Sequence, residues 1–112
     1  MLDKVERIVL LNDFYGPLLT AKQRDVMHLY YENDWSLAEI AQSMDISRQA
    51  VYDLLHRASG ALEDYETRLG LMGKFLTSRV RWQEIYDLLE NGIDHERVQR
   101  VLELIKELNE SL

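Results

Sequence analysis

Residues 36–58, SLAEIAQSMDISRQAVYDLLHRA, constrain the fold more than any other stretch. They carry two short apolar stripes at helical spacing, each opened by a serine, with a single turn between them. Ser36 is placed to cap the first helix, and Glu39 to close a capping box with it. Leu37, Ile40, Ala41 and Met44 then share an inward face. The small side chain of Ala41 lets a second helix cross closely. Asp45 stands at the turn, where glycine is usual and where aspartate tolerates a left-handed backbone better than most residues. Ile46 plugs the junction, Ser47 caps the second helix, and Val51 and Leu54 complete the packing. The stretch predicts a helix-turn-helix.

The rest of the chain is helical by the same kind of reading. One proline and five glycines in 112 residues leave few breakers, and no run of alternating β-branched residues suggests a strand. The expectation is an all-α fold: a helix-turn-helix domain with a long recognition helix, followed by a C-terminal helical hairpin. Val5, Ile8, Val9 and Leu11 predict a first helix, capped by Asp3 and ending near Phe14 to Gly16. Thr20 and Gln23 form a second capping box. Val26, Leu29 and Tyr30 are the expected buried stripe behind it. The aromatics of "DFY", "LYY" and Trp35 gather nearby as core and rim, or as a partner-docking patch.

The recognition helix keeps its apolar stripe through Leu55, Ala58, Leu62, Tyr65 and Leu69. From Arg48 to Leu69 that is roughly 33 Å. Gly70 and Gly73 predict a kink or hinge, and the expected domain boundary falls there, with residues 1–69 and 70–112 on either side. A fifth helix is expected from about Ser78 to Glu90, with Ile85, Leu88 and Leu89 apolar. After a turn at Gly92, Asp94 caps a last helix with Val98, Val101, Leu102, Ile105 and Leu108 on one face. That face has two ways to be buried: against its own domain, or in a homodimer through the C-terminal helices.

Charge divides the candidate functions. The formal net charge is -7, yet it is unevenly spread. Residues 18–66 hold nine acids against four bases, whereas residues 67–83 hold four bases and no acid. The outward face of the recognition helix is Arg48, Gln49, Tyr52, Asp53, His56 and Arg57. Arg48 and Gln49 lie at its N-terminus, where base edges are read; arginine suits guanine and glutamine suits adenine. Affinity for nucleic acid comes mainly from lysine and arginine on phosphates, and this face has few. A second lead is the basic island of Lys74, Arg79 and Arg81 beside Phe75 and Trp82. Cations interleaved with aromatics suit structured or single-stranded RNA.

Residues 18–65 resemble region four of bacterial sigma factors, the part that reads a promoter element. "LNDFYGPLLTAKQ", "LYYENDWSLAEIA" and "SRQAVYD" together are similar to the YlxM family of small bacterial helix-turn-helix proteins over most of the chain. That family's genes tend to lie beside those for the signal recognition particle GTPases. The resemblance implies an accessory or regulatory role in that pathway. The implied partners are the particle's GTPase, its receptor or its RNA. Two other readings stand beside it: a DNA-binding transcriptional regulator, and a protein-interaction adaptor without nucleic-acid binding.

Catalysis has little to rest on. His28, His56 and His95 belong to separate helices, no glycine loop could cradle a phosphate, and no nucleophile has a base nearby in sequence. No enzyme activity, cofactor or metal is expected. The chain has no cysteine, which suits a reducing cytoplasm, and no stretch long enough for a signal peptide or membrane span.

Overall fold

A computed structural model of the chain describes residues 2–111. The order is α1 (Lys4–Tyr15), a 3-10 turn at Gly16–Leu18, α2 (Ala21–Met27), a π-helical turn at His28–Glu32, α3 (Leu37–Met44), α4 (Arg48–Leu69), α5 (Leu71–Glu90) and α6 (His95–Glu110). No strand occurs among the described residues. The chain is all-α, and it divides into two compact units, Met1–Gly70 and Leu71–Leu112.

In the first unit, α1, α2 and α3 each pack on α4. The start of every helix follows its expected chemistry. Asp3 accepts the Glu6 N–H at 2.8 Å, and Ser47 accepts that of Ala50 at 3.0 Å. The capping boxes of Thr20 with Gln23 and of Ser36 with Glu39 are both reciprocal. Each satisfies orphan donors that would otherwise destabilise the helix by about 1 kcal/mol. The turn between α3 and α4 is made at Asp45, whose φ of 56° is left-handed. The Ala41 carbonyl accepts from the N–H groups of both Asp45 and Ile46. This closes α3 and drops Ile46, half-buried, into the junction. Ile40, Val51, Ala58 and Leu62 are wholly buried with Leu11, Val26 and Met27.

Four details depart from the sequence reading. Tyr30 is exposed, not buried, and Met27 takes the core position instead. The cause is the π turn: Asn33 N–H bonds to the His28 carbonyl at 3.1 Å, one residue wider than an α-helical bond. The wider turn shifts the register after Met27, leaving Tyr30 exposed and Leu29 and Tyr31 half-buried. Leu69, expected in the α4 stripe, is also exposed, because it lies in the last turn before the helix ends.

The third departure is at the glycines. Gly70 alone breaks the chain, capping α4 with a φ of 66°. Gly73 lies inside α5, which therefore begins at Leu71 and not near Ser78. One left-handed residue suffices to end a helix, and the leucine, methionine and phenylalanine around Gly73 tolerate its continuation.

In the second unit, α5 and α6 pair across the turn at Gly92. Ile85 packs with Leu104 and Leu108, and Leu88 and Val101 lie against them. The α6 face differs from expectation. Leu104 is buried, while Leu102 and Ile105 are exposed. The apolar stripe of α6 is wider than one neighbouring helix can cover, so α5 takes only the side containing Leu104. Arg100 donates to the Glu84 carboxylate at 3.0 and 3.3 Å, and Arg81 pairs with Glu107 at 3.3 Å.

Two substitutions test this core. Ile40→Ala should lower the unfolding free energy by about 2–5 kcal/mol, read by chemical denaturation. Asp45→Val should cost about 1–2 kcal/mol, since a β-branched residue resists the left-handed turn, whereas Asp45→Gly should be close to neutral.

Candidate nucleic-acid interface

The α4 helix presents its first three turns to solvent on one side. Arg48, Gln49, Tyr52, Asp53, His56 and Arg57 are all exposed. At 3.6 residues per turn they fall into two rows along the helix. One row is Arg48, Tyr52 and His56. Its two rings lie nearly parallel, 8° apart, with centroids separated by 6.2 Å. The other row is Gln49, Asp53 and Arg57. Here the Gln49 amide donates to the Asp53 carboxylate at 3.0 Å. The amide is therefore engaged before any ligand arrives, and a carboxylate sits between the two basic ends of the face.

The basic island on α5 does not lie on one helix face. Lys74 and Arg81 are two turns apart on the side nearest the Ile85 edge. Arg81 is half-buried by its pairing with Glu107. Arg79 points the other way round the helix. It stands with the exposed Phe75, Trp82 and Tyr86; Phe75 and Trp82 lie two turns apart with Arg79 between them, and Tyr86 follows one turn on. Sequence reasoning paired the arginines with Phe75 and Trp82 but passed over Tyr86, whose i, i+4 spacing from Trp82 was the available signal.

Behind the recognition helix, α1 is locked to α4 by an ion pair. Arg7 donates Nε and Nη2 to the two Glu63 carboxylate oxygens, each at 2.7 Å. The bond raises the arginine pKa and holds the Glu63 carboxyl below its ordinary range. The buried Tyr15 hydroxyl donates to Glu66 at 2.5 Å. Together these contacts fix the far half of α4, so its outward rows are carried on a rigid rod. On the π turn, His28 pairs with Glu32. Burial raises the Tyr31 pKa, the neighbouring Tyr30 adds to it, and a hydrogen bond with Ser59 partly offsets both. Its hydroxyl thus stays protonated at neutral pH.

Among the described residues, no cluster of histidine and carboxylate side chains could hold a metal ion, and no helix is long and apolar enough to cross a membrane.

The tri-helical core, the left-handed turn at Asp45 and the exposed second helix define a helix-turn-helix protein. The family described as "Putative helix-turn-helix protein, YlxM / p13 like" (UPF0122) matches residues 2–110. This chain belongs to that family. It is 44% identical over 108 residues to a UPF0122 protein of Halalkalibacterium halodurans, covering 96% of this chain and 99% of the relative. A Geobacillus relative is 43% identical over 110 residues, covering 98% of each. The Bacillus subtilis protein YlxM is 39% identical over 108 residues, covering 96% of this chain and 98% of its own length. The family description names a helix-turn-helix and no catalytic activity.

The Arg7–Glu63 pair predicts a direction for acid sensitivity. A carboxylate held below its ordinary pKa binds protons more readily when unfolded, so its stabilisation is complete above the unfolded value and lost as pH falls. Both side chains are partly exposed, which limits the pair to about 1 kcal/mol or less. Thermal melts should therefore show the native chain losing more stability than Glu63→Gln as pH drops below the ordinary glutamate range.

Proposed function

We propose that this chain is a non-enzymatic regulatory helix-turn-helix protein, a cytoplasmic accessory of protein targeting by the signal recognition particle that contacts the particle's RNA. The observation that carries the nucleic-acid part is the outward side of α4. Arg48, Tyr52, His56 and Arg57 stand exposed on a helix whose other side is locked into the core. RNA fits this face better than duplex DNA. Its density of cations is too low to follow a duplex backbone, and Gln49 is engaged with Asp53. A parallel ring pair suits an unstacked base. The pathway is supported by membership of the YlxM family and by the setting of that family's genes. The particle's GTPase or its receptor is the second partner this implies.

A second reading concerns self-association, and the exposed side of the second unit favours it. Trp82, Tyr86 and Leu89 on α5 and Leu102 and Ile105 on α6 are all exposed. On each helix this strip lies about a quarter turn from the packed edge, and the helices run antiparallel, so both strips emerge on the same side of the hairpin. A contiguous apolar side of this kind is characteristic of an interface. Pairing two copies would present two recognition helices.

Titration at low and physiological salt against particle RNA, duplex DNA and the purified GTPase separates the readings. RNA should bind most tightly. The double variant Arg48→Glu, Arg57→Glu should weaken it roughly tenfold and flatten the salt dependence by about one to two phosphate contacts. Tighter binding to duplex DNA would favour a transcriptional regulator, and binding to the GTPase alone would favour an adaptor. Sedimentation should give a dimer mass that Trp82→Glu with Leu102→Glu reduces to a monomer.

A further inference from the structure

A cavity of about 560 Å³ opens beside the recognition helix, bounded by α1, the π turn, the start of α3 and α4. Its volume falls within the range of small-molecule sites. Ile8, Leu37 and Leu55 supply apolar surface. The remaining walls are unusual for a domain of this size. Tyr52 and His56 form one wall with their rings parallel at 8°. Tyr30 and Tyr31 form another, edge to face at 86° with centroids 4.9 Å apart. The rim carries Lys4 and Arg7, both from α1. Arg7 gives Nε and Nη2 to Glu63, whose carboxylate also lines the cavity, and its Nη1 takes no part in that pair. Ser59 brings a hydroxyl between the walls.

We infer that this cavity is a subsite for one nucleobase and its phosphate, the base stacking among the tyrosine and histidine rings and the phosphate meeting Lys4 and the one Arg7 nitrogen, Nη1, that the pair with Glu63 leaves over. The flat rings match a planar heterocycle, and stacking on an aromatic platform is tolerant of which base it takes. The hydroxyls of Tyr31 and Ser59, bonded to each other, keep acceptor lone pairs that can address the base edge. Arg7 and Glu63 offset one another, so Lys4 is the charge that draws the anionic end of the ligand. The π turn is what makes the site: it turns Tyr30 out of the core and toward the cavity.

The same chemistry has two sources, a free nucleotide or an unstacked residue of an RNA strand. For the second source the inference rests on the proposed function; for the first it stands without it. Tyr52 and His56 belong both to the cavity and to the outer row of α4, so an occupied subsite would be read directly at the recognition helix.

The test is a nuclear magnetic resonance titration of the full chain with each of the four ribonucleoside monophosphates, with adenosine, and with a short single-stranded RNA. Saturable shifts are expected at Lys4–Ile8, Tyr30–Tyr31 and Tyr52–Glu63, with adenosine monophosphate binding more tightly than adenosine. Tyr52→Ala should weaken binding fivefold or more. Lys4→Glu should abolish the preference for the phosphorylated ligand. Both positions are exposed, and an acid at the start of α1 suits the helix dipole, so both variants should fold. Tighter binding of the RNA than of monophosphates, with the same two variants weakening it, identifies a strand residue as the occupant; equal or weaker binding identifies the free nucleotide. Absence of saturable shifts with every probe, or binding indifferent to Tyr52→Ala, overturns the inference. RNA binding that fails on reversal of Arg48 and Arg57 but ignores Tyr52→Ala removes the subsite and leaves the proposed function standing. Nucleotide binding without RNA binding does the reverse.

Discussion

Burial of one side of α4 organises the first unit. Val51, Ala58 and Leu62 are fully enclosed, and Leu55 nearly so. Three helices pack on this stripe, from α1, α2 and α3. No single one of them could be stable at its length in water, since short helices depend on tertiary contact. Because α4 is the shared partner, its opposite side is left facing solvent. The recognition rows are exposed for the same reason that the core is closed: one helix cannot turn both sides inward. The interface we propose therefore lies on the part of α4 that the packing does not consume.

The electrostatics of that face follow from the same economy. Ion pairs hold elements together within each unit, Arg7 with Glu63 in the first and Arg81 with Glu107 and Arg100 with Glu84 in the second. Several of the chain's few cations are thus committed to architecture. What remains for a polyanion is sparse, and it is interleaved with rings rather than massed into a patch. A face of that composition favours stacking with a few well-placed phosphate contacts over long-range attraction to a duplex. On the function proposed above, this is how a chain of net charge -7 would use its helix-turn-helix.

The second unit has a thinner core. Ile85, Leu104 and Leu108 are enclosed, with Leu88 and Val101 at the edges. Two helices can cover only the strip along which they touch. The aromatic and aliphatic residues a quarter turn away remain wet, and Arg79 stands among them. An apolar side that a hairpin cannot bury by itself is the physical ground for expecting another surface to meet it.

Much of the first unit was legible in the residues themselves. Side-chain caps act within three residues, so Asp3, Thr20, Ser36 and Ser47 marked their helices locally, and Asp45 marked the left-handed turn. The outward row of α4 followed from periodicity once that turn was placed. The π turn was not legible, because a single extra residue in a helical coil leaves no pattern in composition. It decided the exchange of Tyr30 for Met27 in the core, and with it one wall of the cavity. Nor could the stripe of α6 tell which of its two sides would be covered: Leu102 and Leu104 are equally apolar, and only the direction from which α5 approaches separates them. The sequence by itself determined where the helices of the first unit start and which side of α4 is free, since caps and periodicity are local. Only the tertiary structure decided which rings converge and which cations are already paired, since both depend on residues distant in the chain being brought within a few ångströms.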